Sequence, residues 1–154
     1  MKPKRQTAPI GAFREHPAQM RTIYEIDDMA ELTLQVYENG LSDWQPIVAT
    51  PDGEGSYFII SGHRRRMARL FAYALATWIN QPDRAMNEEE EEGVHIELVN
   101  EFISTLVEKY EYVDAAADAL CEQYADQEVE FVLFEGNEKA QILALQRANY
   151  YYAL

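Results

Sequence analysis

The chain has 154 residues, 27 acidic side chains against 13 basic ones, a net charge of −14, and hydrophobic and aromatic fractions of 47% and 12%. That length and apolar content suit one globular domain with a buried core and exclude a disordered tail. No apolar run approaches the roughly 20 residues needed to span a bilayer, no apolar segment follows the basic start Met1-Lys2-Pro3-Lys4-Arg5 to make a secretory signal, and the single Cys121 excludes internal disulfides and a cysteine-based metal cluster; a soluble, cytoplasmic protein is expected.

The charge is unevenly spread. Residues 1–70 hold nine basic and nine acidic side chains, residues 71–129 hold two against fifteen, and residues 130–154 hold two against three. Uniform acidity would repel nucleic acid. Here the excess sits in the middle block, and the first block keeps its arginines. Phosphate binding there stays open, while nonspecific binding to duplex DNA is disfavoured.

In chain order, Pro3, Pro9 and Pro17 forbid a long helix in residues 1–22 and predict an extended arm, with Ile10 and Phe13 in a short edge strand. A helix is predicted from Asp27 to Asn39, capped at its start by Asp27 or Asp28 and closed by Gly40 as a left-handed residue. Pro46 to Thr50 and Tyr57 to Ile60 read as two strands joined by the turn sequence Pro51-Asp52-Gly53-Glu54-Gly55, hence a hairpin. Ser61-Gly62 breaks the second strand, and a helix follows from about His63 to Trp78, its apolar face marked by Met67, Leu70, Phe71, Ala74, Leu75 and Trp78.

The five glutamates Glu88 to Glu92 read as a solvated segment. Two amphipathic helices are predicted near 94–109 and 112–125. Ile96, Val99, Phe102, Ile103 and Leu106 form the core face of the first, and Ala116, Ala119, Leu120 and Tyr124 that of the second. Val129 to Phe134 reads as a strand, and a last helix follows Glu135-Gly136-Asn137. The whole predicts an α+β domain with a small mixed sheet; no internal repeat is visible.

The strongest chemical signal is Phe58-Ile59-Ile60-Ser61-Gly62-His63-Arg64-Arg65-Arg66. A strand runs into a glycine, and a helix opens with three consecutive arginines. The first turn of a helix carries unpaired N–H groups and the positive end of the dipole, so each cation there is disfavoured by about 0.3–1 kcal/mol. An anion reverses that penalty, and a phosphate suits backbone N–H groups and guanidinium forks together. The plain alternative is a solvated basic stripe, or arginines paired with the acidic middle block.

Further segments resemble those of ParB-type partition proteins. His16-Pro17-Ala18-Gln19-Met20-Arg21 is similar to their N-P-x-Q-P-R segment. Glu38-Asn39-Gly40-Leu41 followed by Gln45-Pro46-Ile47-Val48 is similar to E-N-G-L-x-Q-P-I-V, with Ser42-Asp43-Trp44 widening the gap. Tyr57 to Ala68 resembles the Y-x-I-I-x-G-E-R-R-x-x-A box, and Leu143-Ala144-Leu145-Gln146-Arg147 the E-N-L-Q-R box.

The resemblance implies the fold shared by ParB and sulfiredoxin. Residues 1–154 would be a single N-terminal domain, with 10–70 and 129–154 as family core and 71–128 as an acidic helical insertion. It implies a CTP-binding site in which Gly62, His63, Arg64, Arg65 and Arg66, with Gln146 and Arg147, hold phosphates, while Gln45 and Pro46 line the base side. It also implies a nucleotide-gated clamp on DNA, a homodimer in the full-length protein, and DNA contact through a helix-turn-helix region. That region would begin near Tyr150, so an excised domain is expected.

A CTPase or nuclease activity would follow from the family. However, Leu143 and Ala144 replace the Glu-Asn pair whose oxygens help to hold Mg²⁺, and His63 replaces a glutamate. Sulfiredoxin chemistry is excluded because its reactive cysteine would fall at His63. No H-x-x-x-H, C-x-x-C or G-x-S-x-G spacing supports a metal or serine hydrolase. The alternative function is a protein-interaction module whose acidic helices at 94–125 bind a basic partner or imitate DNA.

Overall fold

The computed structural model describes residues 5–19, 23–41, 46–81 and 93–153, with side chains as far as residue 148. It is a mixed α+β fold that divides into two compact units. The first comprises Met1–Thr22, Trp44–His63 and Ala125–Leu154, and the second Ile23–Asp43 and Arg64–Tyr124.

The first unit is built on five strands: β1 (Arg5–Pro9), β2 (Phe13–Glu15), β3 (Ile47–Pro51), β4 (Tyr57–Ser61) and β5 (Glu128–Leu133), in the order β1-β5-β3-β4-β2. β3 and β4 form the expected antiparallel hairpin. β5 lies parallel to β3 and antiparallel to β1, and β2 lies parallel to β4. β5 alternates as a half-buried strand should: Val129 and Phe131 point inward, Glu128 and Glu130 outward. Phe131 is fully enclosed, with ring centroids of Phe13 at 5.2 Å and Tyr57 at 4.7 Å.

The arm departs from the sequence-based reading. Ile10 and Phe13 do not share one edge strand. Arg5–Pro9 forms one edge of the sheet and Phe13–Glu15 the other, with a 3-10 turn at Ile10–Ala12 between them. The cause is a tether to the segment that leads into β5. Ile10 N–H donates to the Gln127 carbonyl at 2.7 Å and Gly11 N–H to that of Ala125 at 3.0 Å, so the chain turns there and crosses to the opposite edge.

The hairpin turn is closed by Asp52. Its Oδ1 accepts from the N–H of Glu54 at 2.7 Å and of Ser56 at 3.1 Å, and its Oδ2 faces the Arg14 guanidinium of β2. Arg14 also lies 5.0 Å above the Phe58 ring. The Glu54 amide first, then the Ser56 amide and Arg14, hold the Asp52 carboxyl below its ordinary range against the opposing effect of burial. A carboxyl lowered in the folded state stabilises fully above its unfolded value of about 4, and that contribution is lost as pH falls through the lowered folded value. Asp52→Asn keeps an acceptor for the amides but loses the ion pair. Its melting temperature should fall below that of the parent at pH 7, and the difference should narrow as pH falls below the ordinary carboxylate value of about 4. A difference unchanged by pH would show that the charge is not what matters.

The second unit holds four helices among the described residues: α1 (Ile26–Glu38), α2 (His63–Ile79, from Arg64 onward), α3 (Ile96–Tyr110) and α4 (Val113–Tyr124). α1 ends as predicted: Gly40 has φ +70, its N–H bonds the Tyr37 carbonyl, and Leu41 N–H bonds that of Val36, a Schellman closure. Its start differs. Glu25 occupies the cap position without a side-chain cap bond. Asp27 instead lies in the first turn and accepts from the Asn100 amide of α3 at 2.7 Å.

Beyond its first turn α2 is buried on most sides, including Met67, Leu70, Phe71 and Leu75. α4 buries Val113, Ala116, Ala117 and Leu120, an i, i+3, i+4, i+7 stripe. Ala117 takes the place expected for Ala119. The final helix, α5 (Glu138–Ala153), belongs to the first unit and packs beside β4.

Candidate functional site

The junction between β4 and α2 is formed by one buried glycine. Gly62 has φ +107, a conformation that L side chains rarely adopt. β4 therefore turns directly into α2 at His63, with no loop between them. The first turn of α2 contains no acidic residue and carries Arg64, Arg65 and Arg66, all half-buried. Consecutive helical residues are about 100° apart, so the three side chains leave the helix in three directions.

Arg66 takes an enclosed path. Its side chain is 12% exposed, and its guanidinium reaches Cys121 Sγ at 3.2 Å and Asp118 Oδ1 at 3.7 Å, both on α4. This arginine therefore does pair with the acidic block. The pair is weak, because the Asp118 side chain is 74% exposed and the contact is long. Desolvation moves the Asp118 carboxyl above its ordinary range, against the pull of Arg66, and Asp114 adds to the rise. The sequence carried a signal for the enclosure of Arg66, since it shares a helical face with Leu70 and Tyr73, both buried.

In the first unit, several predicted residues come to one end of the sheet. Antiparallel pairing of Val48 with Ser61 sets half-buried Pro46 at the end of the sheet where Gly62 leaves it. Gln45 falls outside the described residues. Parallel pairing of Glu15 with Ile59 puts His16 level with the C-terminal end of β4.

His16 is 6% exposed and fixes the first turn of α5 at that same end. Its Nδ1 accepts from Ala18 N–H at 3.0 Å, so the proton is on Nε2, which donates to Gln141 Oε1 at 3.0 Å. Gln141 Nε2 in turn donates to the Gly136 carbonyl. Sequence reasoning saw His16 only as part of a family box. Its role as a tie between the arm and α5 had no local signal, because its partner lies 125 residues away. Further along α5, Leu145 is buried at 2% exposure, while Gln146 and Arg147 are exposed beside it.

Gly62→Ala tests the junction. A Cβ at φ +107 should cost on the order of 1 kcal/mol of folding stability. Denaturant unfolding measures it, and an unchanged midpoint would mean the turn relaxes without strain.

Comparison with known proteins identifies the family. The model of the ParB N-terminal domain matches residues 3–101, and the chain belongs to that family. The match takes in the strand–glycine–helix junction and ends within α3, before β5 and α5. Among solved structures, the C-terminally truncated chromosome-partitioning protein ParB from Caulobacter crescentus, complexed with CTP-gamma-S, resembles the chain with a TM-score of 0.50 and 17% identity. That likeness covers 95% of this chain and 52% of that one, so the chain spans about half the length of the structure it matches. No curated protein sequence matches it. No helix among the described residues is long and apolar enough to cross a membrane.

Proposed function

We propose that the chain is the nucleotide-binding module of a ParB-type partition protein, and that the junction at Gly62 holds the phosphates of CTP. The observation that carries this reading is the left-handed Gly62 opening a helix whose first turn holds three arginines and no acid. Such a turn offers N–H groups, a positive dipole end and nearby guanidinium charge to an anion. Family membership supports it, as does a similar fold in a protein solved with a CTP analogue.

In this reading Gly62 lets the backbone approach the phosphates, and His63, Arg64 and Arg65 supply N–H donors. Arg66 contributes charge while tied to α4. Gln146 and Arg147 of α5 would add to the phosphate side, and Gln45 and Pro46 would meet the base. Binding would gate a homodimeric clamp on DNA in a longer chain that carries the DNA-reading region. Cytosine preference and clamp closure are parts of the proposal.

Thermal unfolding with each of the four ribonucleoside triphosphates tests it. A ligand at a hundred times its Kd adds about 2.7 kcal/mol of stability. CTP should therefore raise the melting temperature by several degrees, and ATP, GTP and UTP by less. No shift with any triphosphate at millimolar concentration would refute the reading.

A further inference from the structure

We infer that His16 is a positioning residue of the proposed phosphate site: through Gln141 it holds α5 in the orientation from which Gln146 and Arg147 act on the ligand. The inference rests on the nucleotide-binding reading above and concerns how that site is held ready. Every residue it invokes belongs to the first unit.

α5 packs beside β4, the strand that runs into Gly62, but apolar contact fixes it weakly. A helix in a globular domain normally buries about three or four side chains in every two turns. Among the described side chains of α5, residues 138–148, Leu145 alone is buried, and Leu143 is 49% exposed. The orientation of α5 therefore depends on polar contacts, and these gather at its first turn. Asn137 Oδ1 accepts from Ala140 N–H at 2.9 Å, and Gln141 Nε2 donates to the Gly136 carbonyl at 3.0 Å, so the entry to the helix is closed on itself. Gly136 leaves no room for movement there: a Cβ on it would meet the Phe134 ring at 2.9 Å.

His16 joins that closed entry to the sheet. It is 6% exposed, and its ring meets the Phe58 ring of β4 edge-on, with centroids 5.2 Å apart. Its Nδ1 accepts from Ala18 N–H and its Nε2 donates to Gln141 Oε1, each at 3.0 Å. Gln141 thus holds His16 with one end of its amide and Gly136 with the other. Gln146 and Arg147 follow Gln141 by roughly one and a half helical turns, so an orientation set at the entry is carried rigidly to them. Without the tie α5 has more orientations open to it, and ordering it becomes a cost of binding.

Two substitutions in the full chain separate the tie from the other hydrogen bond of the ring. In His16→Asn the side-chain oxygen still accepts from Ala18 N–H, but the side chain is too short for Gln141. In His16→Gln the longer amide donates to Gln141 Oε1, and the bond to Ala18 is lost. Each variant loses one hydrogen bond, so their unfolding midpoints should fall by similar amounts. Their affinities for labelled CTP should differ: His16→Asn should weaken binding about fivefold, the usual worth of one net hydrogen bond, and His16→Gln by less than about twofold. Gln141→Met cuts the tie from the other side. It should match His16→Asn, and the two together should lose no more affinity than either alone. Equal losses of affinity for His16→Asn and His16→Gln would overturn the inference and leave His16 a packing role. Parent-like affinity in His16→Asn or in Gln141→Met would do the same while leaving nucleotide binding intact. Failure of the parent chain itself to bind CTP would remove the nucleotide reading, and the inference with it.

Discussion

Phe131→Ala should cost about 3–5 kcal/mol of folding stability, the usual loss for a buried aromatic side chain. Phe131 is fully buried on the central part of the sheet, and its ring meets those of Phe13 and Tyr57. Phe13 comes from edge strand β2, Tyr57 from the hairpin and Phe131 from β5, so one truncation loosens three strands. A domain of this size has about 5–15 kcal/mol in hand. The variant should unfold in markedly less denaturant, and the loss should spread to the hydrogen-exchange protection of β4. A shift below 1 kcal/mol would mean that the aromatic cluster is not the core of the first unit.

In the proposed site, Arg65→Ala should weaken CTP binding by about 1.5–3 kcal/mol, on the order of ten- to a hundredfold, the usual loss when a charge-assisted fork to a phosphate is removed. The loss of that fork is read in the Kd, beside the denaturation midpoint of the free protein. Arg66→Ala should behave differently. It removes contacts to Cys121 and Asp118, so its effect should divide between stability and binding. Equal, purely structural losses for both variants would assign the arginines to packing.

Much of this was legible in the sequence, for identifiable reasons. The β3–β4 hairpin was, because Asp52 and the glycines around it define a turn between two β-branched and aromatic runs. The closure of α1 at Gly40 and the opening of α2 after Gly62 were, because both depend on backbone conformations that glycine adopts freely. The paths of the arm were not. Phe13–Glu15 is three residues long, and it is a strand only because Tyr57 to Ile59 lies beside it.

α4 shows a different limit. Ala115, Ala116, Ala117 and Ala119 give no hydrophobic contrast around the helix, so the buried face could be set only by Val113 and Leu120. For the site, composition and order placed three arginines at one helix end. Nothing local set Arg66 apart, since Arg64 likewise shares a helical face with buried Met67 and Phe71, and nothing local joined His16 to Gln141. Such pairings across 125 residues are written in the fold as a whole.

Backbone amide chemical shifts of the chain, followed through a CTP titration, probe the anion site most directly. The account predicts that the largest changes fall on Gly62, His63, Arg64 and Arg65, with a second group at Gln146 and Arg147, and that they saturate together. Shifts confined to the acidic faces of α3 and α4, or a spectrum untouched at saturating nucleotide, would contradict it.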